Sequence, residues 1–332
     1  MKSGSVFDVC VVGAGLSGLL AARALKNRGL RVLVLDKGRG VGGRLSRRRT
    51  EGGAYDHGAQ YFTARSVVFK ELLKSWLGEG LIKEWSKGFQ QADGILKDDG
   101  ESRFCGVLGM TSVPKFLSQE LDVRVNARVS KVEQHSSGWK LSFEEGEPVL
   151  GRGVILTAPV PQTLQLLASG GTILPEGVLS DLSRIDYDPC LALMARLRGP
   201  SLVPEPGGLW LSGDPVAWIA DNSMKGVCGG EGAAMTIHAG PQFSRDHWRT
   251  DEAEVTRSLL DASEAWLGSS PIQTQLHRWL YSHPSVLYPD RCYFQCDSAP
   301  LALAGDGFGG ARVEGAALSG LAAAAAMGDH FC

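Results

Sequence analysis

The sequence lacks a strong excess of either charge, a long uninterrupted apolar run and a regular set of cysteines. Its 34 basic and 36 acidic residues give a net charge of −2, whereas a nucleic-acid-binding protein usually carries a marked basic excess. The apolar stretch from Cys10 to Leu25 is interrupted by glycines, serine and Arg23, and the stretch from Leu318 to Met327 is too short to cross a bilayer. We therefore predict neither a nucleic-acid partner nor a membrane span.

The amino terminus and the cysteines predict a cytoplasmic protein. The segment from Met1 to Asp8 lacks the charged and then apolar layout of a signal peptide. The 7 cysteines are odd in number and scattered, which argues against the disulfide framework of a small secreted protein. Cys292 and Cys296 have no second cysteine or histidine pair at zinc-finger spacing, so we predict no metal site.

Glycine, in contrast, is abundant, with 43 of 332 residues, about twice the usual share of roughly 7%. The first glycine cluster follows an apolar run, Phe7 to Val12, that is typical of a strand buried in a parallel sheet. The cluster is Gly13-Ala14-Gly15-Leu16-Ser17-Gly18, and it is followed by a helical stretch, a second apolar strand and Asp36. This order of elements is typical of the βαβ unit that binds the pyrophosphate of a dinucleotide.

Each part of this unit has a physical role. Gly13 allows the tight turn, Gly15 lets the backbone approach the pyrophosphate, and Gly18 allows close packing of helix and strand. The unpaired N–H groups and the positive end of the helix dipole attract the phosphates. Asp36 is placed to accept hydrogen bonds from the adenosine ribose.

Two further features favour FAD over NAD. A second glycine-rich loop, Lys37 to Arg44, carries a cation that could bind the same pyrophosphate, although a flexible surface loop is the alternative interpretation. Near the carboxyl end, Gly305 and Asp306 follow an apolar strand and precede a helix that begins at about Glu314. Asp306 could accept hydrogen bonds from the ribityl hydroxyls, and the helix amino terminus could stabilise the anionic reduced ring. Both ends of the chain would then bind one extended cofactor.

These motifs resemble the FAD fold shared by amine oxidases, phytoene desaturases and protoporphyrinogen oxidase. The stretch from Gly53 to Arg65 (GAYDHGAQYFTAR) is more specific and, with Gly109-Met110-Thr111 and His277-Arg278-Trp279, resembles the renalase family, particularly its bacterial branch. The resemblance extends over nearly the whole chain, although the region from about Leu167 to Pro271 matches in length and order rather than by motif. It implies an FAD-dependent oxidase that converts 2- and 6-dihydro-NAD(P) to NAD(P)+, with dioxygen as electron acceptor and hydrogen peroxide as product.

The fold class predicted from these observations is α/β, with a Rossmann-type FAD-binding domain and a second, mixed but mostly β substrate domain. We expect the FAD-binding domain to comprise residues 1–65, 105–167 and 285–332, and the substrate domain to comprise residues 66–104 and 168–284. Within the substrate domain, a capping-box-like start at Asp251 and a stop at Gly268 predict one helix.

Candidates for contact with the substrate lie in two places. Residues from Gln273 to Tyr281 have strand character, so His277 and Trp279 share one face with Tyr281. That face could stack a nicotinamide ring, with His277 bonding its carboxamide, or it could be a buried aromatic cluster with a satisfied histidine. Gln60 and Tyr61 are the other candidates, with purely structural contacts as the alternative. The catalytic prediction is therefore His277, Trp279, Tyr61 and Gln60, without a general base, because hydride transfer from a dihydropyridine removes no proton from carbon.

The residues predicted to bind FAD lie in the glycine turn, the second loop, the renalase-like stretch and the carboxyl-terminal motif. They are Gly13, Ala14, Gly15, Ser17, Gly18, Asp36, Lys37, Gly43, Arg44, His57, Gly58, Ala59, Gln60, Val129, Gly305, Asp306 and Glu314. We expect noncovalent FAD, because Cys292 and Cys296 do not match the position of a covalent flavin cysteine of the amine-oxidase type.

Three interpretations remain open at this point. A solvated edge strand is favoured for Arg47, Arg48 and Arg49, and binding of the phosphates of a dinucleotide substrate is the alternative. Another flavin enzyme, an amine oxidase or a desaturase, is the nearest rival to a dihydro-NAD(P) oxidase. A flavin-binding protein without turnover is the second rival.

Overall fold

The computed structural model describes residues 6–211, 213–296 and 299–331. The first five residues and Cys332, which bear on the predictions about targeting and cysteine pairing, lie outside these ranges. The chain forms two compact units. The first unit comprises residues 1–43, 114–186 and 284–332, and the second comprises residues 44–113 and 187–283.

Strands and helices are interspersed along the chain. The strands are β1 (Phe7–Val12), β2 (Val32–Leu35), β3 (Arg47–Thr50), β4 (Gly53–Asp56), β5 (Ile82–Gln91), β6 (Leu96–Gly106), β7 (Asp122–Arg124), β8 (Val129–His135), β9 (Gly138–Phe143), β10 (Val149–Leu156), β11 (Tyr187–Leu197), β12 (Gly208–Trp210), β13 (Val216–Asp221), β14 (Ala234–Ala239), β15 (Pro271–Pro284), β16 (Tyr293–Gln295) and β17 (Leu301–Leu303). The helices are α1 (Leu16–Asn27), α2 (Val67–Gly78), α3 (Ser112–Ser118), α4 (Val160–Ser169), α5 (Glu176–Ser183), α6 (Pro241–Asp246), α7 (Glu252–Asp261), α8 (Glu264–Leu267) and α9 (Val313–Phe331).

The first unit is built on an eight-stranded sheet with a parallel centre. Its main path runs β16-β17-β10-β1-β2-β7, and β9 pairs with β10 and with β8. β1 pairs in parallel with β10 on one side and with β2 on the other. The strand FDVCVV is almost entirely buried, as expected for a parallel strand covered on both faces. The predicted Rossmann-type architecture is confirmed.

Small residues let the two ends of the chain pack closely in the first unit. A Cβ on Gly320 of α9 would lie 2.1 Å from the carbonyl oxygen of Ser17 in α1. Only a residue without a side chain allows that approach, and the alanines after Gly320 keep the rest of the α9 surface small. The carboxyl-terminal helix therefore packs on the helix that follows the glycine turn.

The second unit contains a seven-stranded sheet in the order β15-β11-β14-β13-β12-β5-β6 and a two-stranded sheet formed by β3 and β4. Its core joins apolar side chains of β11, β13 and β14 to those of α7, including Leu193, Ile219, Ile237 and Leu259. The two-stranded sheet is tied to β14 by a hydrogen bond from Thr236 Oγ1 to the carbonyl of Asp56. The unit is mixed and mostly β, as predicted.

The unit boundaries differ from the expected domain boundaries at three of four places. The boundary expected before residue 285 lies before residue 284, but the others, expected at 65, 104 and 167, lie at 43, 113 and 186. The boundary expected at residue 65 lies earlier because β3 and β4 pack on β14 of the second unit. The boundary expected at residue 167 lies later because α4 and α5 belong with the first sheet, where Thr172 Oγ1, between the two helices, donates to the carbonyl of Val132. No helix of the described ranges is long and apolar enough to span a membrane.

Candidate functional site

The three glycines of the turn in the first unit differ in their surroundings: two are packed tightly against the protein and one faces open space. Gly13 has a φ of +114°, and a Cβ there would lie 2.3 Å from Thr157 Oγ1. A Cβ on Gly18 would lie 2.0 Å from the carbonyl oxygen of Gly13. A Cβ on Gly15 would meet nothing within 4 Å. Gly13 and Gly18 therefore serve the protein's own packing, whereas the space beside Gly15 is available to a ligand.

The amino terminus of α1 offers unsatisfied groups at this turn. Gly15 caps the helix with extended backbone, and no side chain accepts from the first-turn N–H groups. Ser17 Oγ is buried and has no hydrogen-bond partner among the described residues. Free donors at a helix amino terminus bind phosphate, so the turn fits a dinucleotide pyrophosphate.

Asp36 stabilises the turn and keeps capacity for a ligand. Its Oδ2 accepts from Ala14 N at 2.6 Å, and its Oδ1 accepts from Gly38 N at 2.6 Å. Each carboxylate oxygen can accept more than one hydrogen bond, so ribose hydroxyls can still be bound. The segment before Val129 lies against the same loop, because Ala127 N donates to the carbonyl of Asp36.

The second glycine loop lies beside the first. Gly42 N donates to the carbonyl of Ala14 at 2.8 Å, and a Cβ on Gly43 would lie 3.5 Å from Gly15 Cα. Lys37 Nζ donates to Gln162 Oε1 at 3.1 Å, and burial together with the Arg128 charge lowers the pKa of Lys37. The glycine turn and the second glycine-rich loop therefore lie side by side and expose main-chain atoms on one continuous surface.

The carboxyl-terminal motif is folded as a strand, a turn and a helix. Gly305, at φ +136°, follows β17, and its N–H donates to Ser319 Oγ of α9 at 2.8 Å. Asp306 is buried, and Glu314 lies in the first turn of α9. A buried acid after a strand and a helix amino terminus are the features that the ribityl chain and the ring of FAD require. The glycine turn, Asp36 and the carboxyl-terminal motif of the first unit therefore have groups that suit the parts of FAD predicted to bind there.

In the second unit, the renalase-like stretch is held by a buried ion pair. Lys225 Nζ lies 2.8 Å from Asp56 Oδ2, and both side chains are fully buried. Asp56 Oδ1 accepts from Met110 N at 2.9 Å, and Lys225 Nζ also donates to the carbonyl of Gln60. Asp56 therefore bonds to Lys225 rather than to the neighbouring His57.

The predicted site residues Gln60 and Tyr61 lie in different environments. Gln60 is buried, its Nε2 donates to the carbonyls of Asp56 and Gly58, and its Oε1 has no partner within the described residues. Tyr61 packs in a separate aromatic group, with ring centroids 5.4 Å from Phe89 and 5.9 Å from Trp218.

Three rings come together around the other predicted pair. The His277 and Trp279 centroids are 4.3 Å apart, and His57 lies 4.9 Å from His277 and 5.1 Å from Trp279. Trp279 Nε1 donates to the carbonyl of His57 at 2.9 Å. We name His57, His277 and Trp279 the three-ring cluster. It does not include Tyr61 or Gln60.

The histidines of this region are uncharged at neutral pH. Burial, together with the nearby His277 and Arg48, lowers the pKa of His57 to about 3. Burial lowers the pKa of His238 to about 4, and its ring contacts the His57 carbonyl at 3.1 Å. Burial, followed by the Arg48 charge, also lowers the pKa of His277. The cluster is therefore a neutral aromatic surface.

Arginines approach this region from β3 and the turn before it. Arg44 Nη1 donates to the carbonyls of Tyr281 and Ser282, and Ala59 N donates to the carbonyl of Arg44, against which Gly58 packs without room for a Cβ. Arg48 Nη2 lies 3.5 Å from His277 Nδ1. Since Arg48 can only donate, Nδ1 accepts and the His277 proton is on Nε2.

Family comparisons agree with this geometry. A model of the NAD(P)-binding Rossmann-like domain matches residues 11–76, and the model described as flavin containing amine oxidoreductase matches residues 77–328. The chain belongs to the flavin containing amine oxidoreductases, and it is an FAD-dependent oxidoreductase.

Within that family the chain is renalase-like. It is 27% identical to mouse (Mus musculus) renalase over 300 residues, which covers 85% of this chain and 87% of that protein. Two solved structures share the fold at low identity. Cyclohexylamine oxidase from Brevibacterium oxydans IH-35A has a TM-score of 0.73 at 15% identity and covers 98% of this chain and 100% of its own. Wild-type putrescine oxidase bound to putrescine has a TM-score of 0.72 at 16% identity, with 97% and 98% covered.

The sequence does not predict Lys225, His238 or the role of Arg48. Lys225 and His238 lie far along the chain from the residues they contact, in a region where the resemblance has no motif. Arg48 belongs to a basic run for which a solvated strand is the favoured interpretation. Along β3, Arg47 and Arg48 are half-buried and Arg49 is exposed. The strand period of two, which places Arg48 on the opposite face from Arg47 and Arg49, is the signal that could have found it.

Proposed function

We propose that this chain oxidises 2- and 6-dihydro-NAD(P) to NAD(P)+. Bound FAD would accept a hydride from the dihydropyridine ring and pass two electrons and two protons, one of them from solvent, to dioxygen to give hydrogen peroxide. The observation that supports this proposal best is the neutral three-ring cluster, because a dihydropyridine needs orientation against an uncharged surface and no base at its carbon.

The cluster offers a defined set of contacts for a nicotinamide ring. Trp279 is held in place by its bond to the His57 carbonyl and presents a flat indole for stacking. His277, with its proton on Nε2, can donate to a carboxamide oxygen. Both imidazoles remain neutral when the ring becomes a pyridinium, so they do not repel the positive product.

The aromatic group around Tyr61 supports a second candidate function, the oxidation of an amine. Tyr61 lies with Trp85, Phe89 and Trp218, and aromatic walls are suited to binding a neutral amine. The shared fold with cyclohexylamine oxidase and putrescine oxidase agrees with either function.

Anaerobic mixing of the purified flavoprotein with substrates separates these candidates. Borohydride reduction of NAD gives the 2- and 6-dihydro isomers, and ordinary 4-dihydro-NADH and benzylamine serve as controls. We expect flavin absorbance near 450 nm to bleach rapidly with the 2- or 6-isomer alone and to return in air with formation of peroxide. Bleaching by benzylamine would instead assign an amine oxidase, and bleaching by none of these compounds would contradict the proposal.

We also propose that FAD is bound noncovalently. A thioether to flavin requires a reactive thiolate, but burial and the neighbouring Asp290 raise the pKa of the Cys292 thiol. Acid precipitation should therefore release yellow flavin into the supernatant, and colour that stays in the pellet would contradict this expectation.

A further inference from the structure

Within the second unit, one face of β15 makes polar contacts with Arg48 and Thr50 of β3. Thr50 Oγ1 donates to Gln273 Oε1 at 3.5 Å, and Arg48 Nη2 lies 3.5 Å from His277 Nδ1. Residues two apart on a strand point to the same side, so Gln275 lies between these two contacts on the same face of β15. The three-ring cluster continues this row at Trp279.

Two groups in the row lack partners. Arg48 Nε and Gln275 Oε1 are buried, and neither atom has a hydrogen-bond partner in the described part of the chain. Arg48 also makes no ion pair with any described carboxylate. A half-buried cation without a counter-charge is costly unless a ligand supplies the anion.

Arg47 also has a buried Nε without a partner among the described residues, but Arg47 and Arg49 differ from Arg48 in where their other donors point. Arg47 directs Nη1 and Nη2 to the carbonyls of Leu108 and Val227, so its terminal donors are occupied by the protein. Arg49 points to the exposed side of β3. Only Arg48 of the three is directed at the three-ring cluster, which is neutral and contains no acid.

The geometry points to a subsite in which Arg48 binds a phosphate of the substrate and Gln275 accepts from an adjoining ribose hydroxyl, an inference that rests on the proposed function. A planar guanidinium is suited to bidentate binding of phosphate. Every second residue of a strand advances about 6.6 Å, so Gln275, His277 and Trp279 form a row long enough for a ribose phosphate beside a stacked ring. Arg48 would then determine specificity for nucleotides over simple dihydropyridines.

Substrates with and without phosphate test this inference. With the 6-isomer of dihydro-NAD as substrate, we expect Arg48→Gln to raise KM about 10- to 100-fold, the effect of losing a charged hydrogen bond of about 1.5–3 kcal/mol, while kcat changes less than about threefold. With the 6-isomer of dihydro-1-methylnicotinamide, which has no phosphate, KM should rise less than about fivefold, because only the Arg48 contact that orients His277 is lost. Arg48→Lys should recover part of the loss, and Arg49→Gln, on the exposed side of the same strand, should match the wild type.

Calorimetric titration of the holoprotein with inorganic pyrophosphate tests the subsite without turnover. We expect the wild type and Arg49→Gln to bind, and Arg48→Gln to lose at least tenfold in affinity. If no dihydropyridine is oxidised but this difference holds, the proposed substrate is wrong and the anion subsite stands. Equal binding of pyrophosphate by wild type and Arg48→Gln, an equal rise in KM for both substrates, or loss of FAD from the variant would overturn the inference.

Discussion

Lys225 Nζ lies 2.8 Å from Asp56 Oδ2, and neither side chain has exposed surface. The pair joins the end of β4 to the turn after β13, and the Lys225 ammonium also lies 4.7 Å from the Trp85 ring centroid. Because the stretch that carries His57 and Gln60 follows directly after Asp56, this buried pair fixes the position of two predicted site residues.

Removal of one member of this pair should destabilise the protein strongly. Lys225→Met leaves the Asp56 carboxylate buried without its counter-charge, which should lower the free energy of unfolding by about 3–5 kcal/mol. Urea unfolding of the flavin-saturated protein measures the change. The double variant Asp56→Asn with Lys225→Met should be more stable than Lys225→Met alone. Arg65→Gln, which breaks the exposed pair with Glu101, should cost less than about 1 kcal/mol, and an equal cost would contradict this account.

Substitution of the turn glycines should affect two different properties, the affinity for FAD at Gly15 and the stability of the apoprotein at Gly18. Gly15→Ala places a methyl group in open space, so the fold should lose less than about 1 kcal/mol while the Kd of FAD rises at least tenfold. Gly18→Ala forces a contact with the Gly13 carbonyl and should destabilise the apoprotein itself. Flavin fluorescence titration and urea unfolding separate these effects.

The matched control for these variants is Gly177→Ala in α5, where a Cβ also meets nothing within 4 Å. Alanine is the better helix former by about 0.5–1 kcal/mol, so this variant should be slightly more stable and bind FAD normally. A Gly15→Ala protein with unchanged flavin affinity would show that the pyrophosphate does not approach this glycine.

The elements predicted best are those that local sequence determines. The glycine turn, the strand on each side of it and the carboxyl-terminal helix are predictable because turn glycines and apolar periodicity act within a few residues. Asp251 does cap a helix, accepting from Ala253 N, but the chain forms α7 and α8 in place of one helix to Gly268. Ser263 is fully buried between them, so tertiary packing outweighs the local signals.

Contacts between distant residues are not predictable in the same way. Strand periodicity places His277 and Trp279 on one face, but it does not show that His57 completes the cluster or that Tyr61 packs elsewhere. Lys225 reaches Asp56 across 169 positions, and such a contact depends on the pairing of β13 with β14 and on the packing of β4 against β14 rather than on any local pattern.

The stability of the protein should fall as the pH drops from about 6.5 to 4. In the unfolded chain a histidine has a pKa near 6.5, whereas burial holds the pKa of His57 at about 3 and of His238 at about 4 in the folded state. Below pH 6.5 the unfolded chain therefore binds protons that the folded chain does not. Between pH 6.5 and its folded pKa, each such histidine lowers the free energy of unfolding by about 1.4 kcal/mol per pH unit. Above pH 6.5 neither state binds the proton, so the stability is fully present there.

Urea unfolding between pH 6.5 and 4.5 measures this dependence. For His57→Gln we expect the slope of the unfolding free energy against pH to decrease by about 1.4 kcal/mol per unit. His135→Gln is the matched control, because His135 is exposed and bonds locally to Ser137. The same slope for His57→Gln as for the wild type would mean that His57 titrates normally in the folded protein.

Replacement of Trp279 distinguishes the two interpretations of the three-ring cluster, a substrate-binding surface or simple packing. Trp279→Phe keeps a ring but loses the bond to the His57 carbonyl, so the anaerobic rate constant for flavin reduction by 6-dihydro-NAD should fall about 2- to 10-fold. Trp279→Leu also loses the stacking surface, which contributes about 0.5–1.5 kcal/mol, and should react more than tenfold slower. Trp210→Phe, at a position 40% exposed, is the control. If Trp279→Leu reduces its flavin at the wild-type rate and is only less stable, the cluster is part of the core and the substrate binds elsewhere.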